Sequence, residues 1–295
     1  MPSSFEIQMG LAIVGYPAVA AGAGVLAARI AKPNSQRRQA ALAAAATAGL
    51  VTSHIALANM PQWPPVDSIG WIPITTALVG VVAIVLALLG GKRLVVVPAT
   101  AIAAAAALYL AGKPTFARSM GQFVPLAIGA LIIVGSSVAG AARVGRKAYP
   151  LASWLTMLIT AAIAGLCALW TPSALMAMLL GSMATTAGAL GIGGLVLRIN
   201  EPAPLAQGVF LSHLGATLTY THLYAKLPTL PLLLLGAAVA LPTLVAFIPG
   251  DTTKQRWLRS VAAVTIAASC AGAAALIMHG KIASKKSDPA NMYGG

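Results

Sequence analysis

Long apolar stretches recur along the whole chain, and they constrain its fold more than any other feature. Runs of about 18 to 24 residues rich in alanine, leucine, valine and glycine follow one another from near residue 11 to near residue 279. A helix of about 20 apolar residues crosses a hydrocarbon core of roughly 30 Å. Because that core offers no water to backbone groups, such segments cross it as helices. The pattern predicts an all-α, polytopic integral membrane helix bundle.

The composition supports this fold class. The chain has 295 residues, of which 59% are hydrophobic and 8% are charged, whereas soluble domains carry about 25% charged residues. We predict about ten transmembrane helices and no separate soluble domain. The predicted spans cover residues 11–31, 38–59, 70–90, 94–111, 122–142, 148–170, 173–197, 204–224, 230–249 and 256–279. The boundaries near 94 and 204 are weaker, so one span fewer or more also fits the pattern.

The formal net charge of +14 is explained by where the basic residues lie. If the N-terminus is outside, most of the 19 lysines and arginines fall in inner connections. That inner group comprises Arg29, Lys32, Arg37, Arg38, Lys92, Arg93, Arg143, Arg146, Lys147, Arg198, Lys254, Arg256 and Arg259. The positive-inside rule then predicts a cytoplasmic (inner) membrane location with both termini outside. We therefore expect the bilayer as the partner, and no nucleic acid.

Tryptophan positions agree with this arrangement. Trp71 and Trp170 are predicted at outer helix ends, while Trp154 and Trp257 are predicted near inner ends. Tryptophan is enriched at membrane interfaces, so the pattern predicts an interfacial belt.

Two parts of the chain echo each other. "GAGVLAARIAKP" at 22–33 resembles "GIGGLVLRINEP" at 191–202, and "SHIALANMP" at 53–61 resembles "THLYAKLP" at 221–228. The second echo aligns His54 with His222 at a nearly constant distance from the preceding aligned arginine. We interpret the echoes as a parallel internal repeat of four helices, spans 1–4 and spans 7–10, a plan known among secondary transporters.

This repeat divides the chain into four segments. Residues 1–113 form the first membrane repeat, and residues 114–171 form an intervening transmembrane hairpin of spans 5 and 6. Residues 172–281 form the second repeat. The polar tail, 282–295, has few apolar residues and is predicted to be disordered.

Acidic side chains are rare, and each is predicted to lie in a loop or a tail. They are Glu6, Asp67, Glu201, Asp251 and Asp288. Magnesium-dependent membrane enzymes need acidic ligands, and many proton-coupled carriers place a carboxylate within the membrane. No serine, histidine and acid occur at comparable depth, as a catalytic triad requires. The sequence therefore predicts a protein that is not an enzyme and has no cofactor.

One predicted helix carries a polar stripe. His213, Thr217, Tyr220 and Tyr224 share one face of span 8, because they are spaced by four, three and four residues. Such a stripe is costly against lipid, so it should face the bundle interior or a wet cavity. We interpret it as a solute path. The alternative is hydrogen bonding between helices, which serine, threonine and histidine often supply in membranes.

His54 and His222 suggest a second hypothesis. If the repeat brings the two rings together, they have the ligand chemistry to hold a heme or a metal ion between the repeats. The alternative is that each histidine caps or anchors the end of its own helix near the outer interface.

Three functions fit these features. The leading one is a carrier or permease for a small neutral or weakly polar solute, with its path between the two repeats. The first alternative is a non-catalytic structural or assembly subunit of a larger complex of membrane proteins. The second is a heme- or quinone-associated redox subunit that uses His54 and His222.

Overall fold

A computed structural model of the protein describes residues 4–33, 35–59, 65, 67–90, 147–199 and 201–286. Within these ranges every regular element is a helix. The predicted spans at 94–111 and 122–142 lie outside the described residues, as do the end of the first predicted repeat and the first helix of the predicted hairpin.

The helices follow one another with short connections. Their bounds are α1 Ser4–Gly10, a π-helical turn Leu11–Gly15, α2 Tyr16–Ile30, α3 Gln36–Ala58, α4 Ser68–Leu88, α5 Pro150–Leu169, α6 Ala174–Val196, α7 Pro204–Tyr224, α8 Thr229–Ala240, a 3-10 helix Leu241–Phe247 and α9 Thr253–Lys286.

Seven helical segments in the described part of the chain are long and apolar enough to cross a membrane. The protein is therefore a multi-pass membrane protein. An eighth helix, α7, has a similar length of 21 residues but carries more polar side chains. Each predicted span that falls on described residues corresponds to a helix, while the total of about ten stays a prediction.

Two helices begin or end elsewhere than predicted. Glu6 lies in α1 rather than in a tail, because that helix already starts at Ser4. At the other end, α9 runs to Lys286, so residues 282–286 are helical although they belong to the segment predicted as disordered. A helix of 34 residues is about 50 Å long and extends beyond a hydrocarbon core of roughly 30 Å.

Prolines coincide with changes in helix type. Pro17 follows the π-helical turn, and Pro242 lies in the 3-10 helix that continues α8. Proline has no backbone N–H and its ring crowds the preceding turn, so a regular α-helix is interrupted there. A wider π turn or a tighter 3-10 turn absorbs that interruption.

Helix α3 lies at the centre of the described bundle. It packs against α2, α4, α6 and α7, while α5 and α6 form a closely packed pair and α9 packs on α5 and α8. Helix α7 lies against α3 and α4, and most of its side chains are buried. The helix that carries the polar stripe is therefore among those best shielded from lipid.

The halves of the predicted repeat pack differently. In the repeat, α2, α3 and α4 correspond to α6, α7 and α8. Helix α3 packs extensively on both α2 and α4, whereas α7 packs mainly on α3 and α4 and α6 packs mainly on α5. Equivalent packing of the two copies is therefore not seen among the described helices, and the duplication stays a prediction.

Small residues allow the helices around α3 to approach closely. A Cβ atom at Gly24 of α2 would lie 2.1 Å from the Cβ of Ala45, and one at Gly80 of α4 would lie 2.2 Å from Oγ1 of Thr47. Atoms that are not bonded to each other do not approach so closely, so only glycine fits at either position without a shift of its neighbours. Close backbone approach replaces the hydrophobic driving force that is missing between helices in lipid.

A buried arginine joins three segments at one end of the bundle. Arg38 in the first turn of α3 is 4% exposed. Its guanidinium donates hydrogen bonds to the carbonyls of Ala28 at 2.9 Å and Ala31 at 2.6 Å, and it forms an ion pair with Glu201 at 2.5 Å. The last carbonyls of a helix have no partner within it, so Arg38 satisfies the end of α2. Arg38 thus lies in a helix rather than in a connection. Glu201 lies in a connection, as predicted, but its side chain is only 11% exposed.

Arg259 plays a similar role in α9 and is completely buried. Its guanidinium donates hydrogen bonds to the carbonyls of Lys147 at 2.9 Å, Ile248 at 2.8 Å and Gly250. It therefore ties the start of α9 to the start of α5 and to the end of the 3-10 helix.

These connections define what we call the basic end of the bundle. It carries the exposed side chains Arg29, Lys32, Arg37, Lys147, Arg198 and Lys254. Trp154 lies near this end but is only 6% exposed and packs on Phe210, with ring centroids 6.4 Å apart. The prediction that Trp154 belongs to an interfacial belt is therefore wrong, because α7 covers it.

The close packing of α2 on α3 gives a first testable prediction. We expect Gly24→Ala to destabilise the protein by about 1–3 kcal/mol, because the added methyl group overlaps the backbone of α3. Gly22→Ala is the matched control, since a Cβ atom there meets no other atom within 4 Å. Thermal unfolding of both variants in detergent measures the difference. Equal melting temperatures would contradict the packing described here.

The buried ion pair gives a second prediction. Arg38→Ala removes the ion pair with Glu201 and the donor to two helix-end carbonyls, and we expect a loss of about 3–5 kcal/mol in the free energy of unfolding. Arg37→Ala removes the same charge from an exposed neighbour and should change stability by less than about 0.5 kcal/mol. If both variants unfold alike in detergent, Arg38 does not hold these segments together.

Candidate functional site

The polar stripe on α7 leads from the bundle interior to its surface. His213 is 2% exposed and Thr217 is completely buried. Tyr220 is half-buried and stacks on Tyr224, with ring centroids 4.5 Å apart, and Tyr224 is 42% exposed. The four residues predicted as a solute path are therefore arranged from a buried end at His213 to an open end at Tyr224.

His213 contacts α4 through a short hydrogen bond. Its Nδ1 atom lies 2.6 Å from Oγ1 of Thr76, which also lies 2.8 Å from the carbonyl oxygen of Ile72. The hydroxyl has one proton, and a carbonyl can only accept. If Thr76 donates to Ile72, it accepts from Nδ1–H of His213. This arrangement satisfies all three groups and assigns a free lone pair to Nε2 of His213.

His54 on α3 faces the same site. Its ring lies perpendicular to that of His213, with centroids 5.6 Å apart, and its side chain is 1% exposed. The backbone of Ile69 lies within range of a weak hydrogen bond to this ring, but neither ring nitrogen makes a hydrogen bond of normal length and angle. His54 therefore brings unused hydrogen-bonding capacity into the bundle interior.

Thr217 adds a third unpaired group one helical turn from His213. Its hydroxyl is buried and has no hydrogen-bond partner. Most other buried hydroxyl groups in the described ranges donate to a carbonyl of their own helix. They are Ser53, Thr75, Thr156, Thr160, Ser182, Thr186, Ser212 and Thr221.

We call His54, Thr76, His213 and Thr217 the histidine cluster. An unpaired buried polar group costs about 1–3 kcal/mol. In this cluster Oγ1 of Thr217 has no partner, and the ring nitrogens of His54 have none of normal hydrogen-bond geometry. Folding alone gains nothing from leaving them unpaired. The arrangement is suited to a bound molecule that supplies both donors and acceptors.

The cluster lies close to the end of α3. That helix ends at Ala58, four residues after His54, whereas α7 continues to Tyr224, eleven residues after His213. The stripe therefore passes beyond the end of α3, toward the connection that leads into α4. In that connection, residues 60–64 and 66 lie outside the described residues.

Asp67 marks the beginning of α4 beside the stripe. Its Oδ1 atom accepts a hydrogen bond from the backbone N–H of Gly70 at 2.8 Å and so caps the helix. The carboxylate is close enough to interact electrostatically with both His54 and Tyr220. A fixed negative charge thus lies near the outer part of the stripe.

His222 has a different environment from His54. Its Nδ1 atom lies 2.6 Å from the carbonyl oxygen of Leu227, just after α7 ends. This contact fits the alternative in which the histidine anchors the end of its own helix. Among the described residues, the ring contact of His54 is with His213, and no contact between the rings of His54 and His222 is seen.

Comparison with known protein families, characterised proteins and solved structures finds no significant match to this chain.

Thr76 is the site residue that sequence reasoning missed. It has no distinctive spacing from the histidines, being one of two adjacent threonines in an apolar helix. Only the packing of α4 on α7 places it beside His213.

The bond between Thr76 and His213 gives a third prediction. We expect Thr76→Val to lower the free energy of unfolding by about 1–3 kcal/mol, because Nδ1 of His213 loses its only described partner. Thr75→Val is the matched control, since the hydroxyl of Thr75 bonds only to carbonyls of its own helix. Unfolding in detergent compares the two. A larger effect at Thr75 would contradict the interhelical bond.

Proposed function

We propose that the protein is a carrier or permease for a small neutral or weakly polar solute, which binds at the histidine cluster. The observation that carries this proposal is the group of unpaired buried polar atoms on His54 and Thr217 beside His213. The path to the cluster runs along Thr217, Tyr220 and Tyr224.

The chemistry of the cluster limits the solute. A neutral histidine offers one donor and one acceptor, and a threonine hydroxyl offers both. His54, His213, Thr76 and Thr217 include no carboxylate, lysine or arginine. A buried ion without a counter-charge would be strongly destabilised. The site therefore suits an uncharged molecule with hydrogen-bond donors and acceptors, such as an amide or a small polyol.

The depth of the cluster favours a carrier over an open channel. His213 lies near the middle of α7, about 14 Å along the helix from its first residue. Between His213 and the basic end, α7 buries four apolar side chains and one amide. They are Leu205, Ala206, Val209, Phe210 and Gln207. Passage toward that end requires α7 or its neighbours to move. Such alternating exposure of a central site is the usual behaviour of secondary transporters.

The remaining features of the proposal follow from the sequence. The basic residues gathered at one end of the bundle support insertion in an inner membrane with that end inside and both termini outside. We propose no enzymatic activity, no resident cofactor and no nucleic-acid partner. The parallel repeat, with the path between its copies, stays part of the hypothesis.

A second candidate function is a structural subunit of a larger membrane complex. The hydrogen bond between Thr76 and His213 favours it, because a polar bond between helices strengthens a bundle without any solute. A structural role accounts for the hydrogen bond between Thr76 and His213. It does not account for the burial of polar groups on His54 and Thr217.

Uptake into liposomes tests the proposed transport and gives a fourth prediction. We expect purified protein in liposomes to speed the entry of at least one of four radiolabelled solutes, namely urea, acetamide, glycerol and xylose. Thr217→Val should slow that entry about five- to tenfold, since it removes one hydrogen bond to the solute. Thr160→Val is the matched control, because the buried hydroxyl of Thr160 donates to the carbonyl of Thr156.

Four results would overturn this proposal. The first is that none of the four solutes enters faster than in protein-free liposomes, and the second is that Thr160→Val slows entry as much as Thr217→Val does. A Soret band in the absorption spectrum would instead support the heme-bearing redox subunit. A partner protein that co-purifies in fixed ratio, without any transport, would support the structural subunit.

A further inference from the structure

An apolar groove opens on the side of the bundle near the basic end, far from the histidine cluster. It is formed by the first turns of α5, the last turn of α6 and the first turns of α9, and its volume is about 400 Å³. This volume falls within the range of roughly 300–1,000 Å³ that is typical of ligand sites.

The wall of the groove is aliphatic. Leu151 and Leu155 of α5, Leu195 of α6, and Val261 and Val264 of α9 line it. Along α9 the groove extends from Trp257 to Thr265, which is about 12 Å of helix. One leaflet of the hydrocarbon core is roughly 15 Å deep. The groove therefore has the depth of an acyl chain segment within one leaflet.

The rim of the groove is aromatic, and the serine beside it already has its hydrogen bonds. Tyr149 and Trp257 lie there, 40% and 61% exposed. The hydroxyl of Ser260 accepts a hydrogen bond from the backbone N–H of Tyr149 at 3.0 Å and donates one to the carbonyl of Arg256 at 2.9 Å. The hydroxyl of Ser260 thus already accepts and donates a hydrogen bond, so it does not favour a polar solute in the groove. Tyrosine and tryptophan side chains at this level are typical of the lipid headgroup boundary.

Each of the three helices also carries a cation just beyond the groove. Lys147 precedes α5 by three residues, Arg198 follows Leu195 by three, and Lys254 precedes Trp257 by three. All three side chains are exposed. The N-terminal ends of α5 and α9 meet here too, and their backbone dipoles add positive potential, which the C-terminal end of α6 offsets in part. The nearby carboxylate of Asp251 lies 3.9 Å from the buried Arg259, so the rim keeps an excess of positive charge.

We propose that this groove binds an anionic phospholipid. The phosphate group lies among Lys147, Arg198 and Lys254, the glycerol region lies against Tyr149 and Trp257, and one acyl chain fills the space between Leu155, Leu195 and Val264. The aliphatic wall matches the acyl chain of such a lipid, and the three cations match its net negative charge. The headgroup of a zwitterionic lipid carries its own positive charge, which these cations would repel. The proposal does not depend on transport at the histidine cluster.

Quenching of Trp257 by brominated lipids tests the proposal. The protein is reconstituted in bilayers that contain increasing fractions of phosphatidylglycerol or phosphatidylcholine with brominated acyl chains. The contribution of Trp257 is obtained by subtracting the signal of the Trp257→Phe variant. We expect half-maximal quenching of Trp257 at a markedly lower fraction of phosphatidylglycerol than of phosphatidylcholine. Each basic residue at the rim should contribute about fivefold to that preference.

A matched pair of triple variants separates this site from general charge attraction. The combined variant Lys147→Ala, Arg198→Ala and Lys254→Ala should abolish the preference. The control variant Arg29→Ala, Lys32→Ala and Arg37→Ala removes three exposed cations from the same end of the bundle, and it should keep the preference. Equal quenching by both lipids in the unmodified protein would overturn the proposal, as would an equal loss in both triple variants.

Discussion

Every backbone polar group that enters the hydrocarbon core must find a partner inside the protein, and this requirement organises the structure. Within helices the partners are regular, but at helix ends the last carbonyls have none. Arg38 and Arg259 supply those partners at the basic end. Arg38 donates hydrogen bonds to carbonyls at the end of α2. Arg259 donates to the carbonyl of Lys147 and to that of Ile248, which follows the 3-10 helix. The connections between helices are therefore held by two buried cations.

Close helix contacts then decide which side chains meet. Gly24 and Gly80 let α2 and α4 lie directly against α3, so α3 becomes the central helix. From that position α3 turns His54 toward α7, and α4 turns Thr76 toward the same helix. Helix α7 carries the most polar face and is shielded by both. The histidine cluster is thus a product of backbone packing around α3.

The two candidate binding regions have opposite chemistry. The histidine cluster is buried, holds unpaired donors and acceptors, and contains no lysine, arginine or carboxylate, which suits an uncharged hydrogen-bonding solute. The groove between α5, α6 and α9 is open, aliphatic and rimmed by cations, which suits an anionic amphiphile. A single protein therefore offers a central site for a small molecule and a peripheral site for the bilayer that surrounds it.

The sequence by itself determined the class of fold, the position of each described span and the polar face of α7, because apolar length and helical spacing are local properties. It also singled out His213 as part of that polar face and His54 as part of the echo between the two halves. It did not determine the neighbours of those residues. The echo between the two halves pointed to His222 as the companion of His54, whereas in the structure His54 meets His213. The burial of Arg38 and the contact of Thr76 were likewise decided by tertiary packing, since both depend on which helices approach closely enough for side chains far apart in the chain to touch.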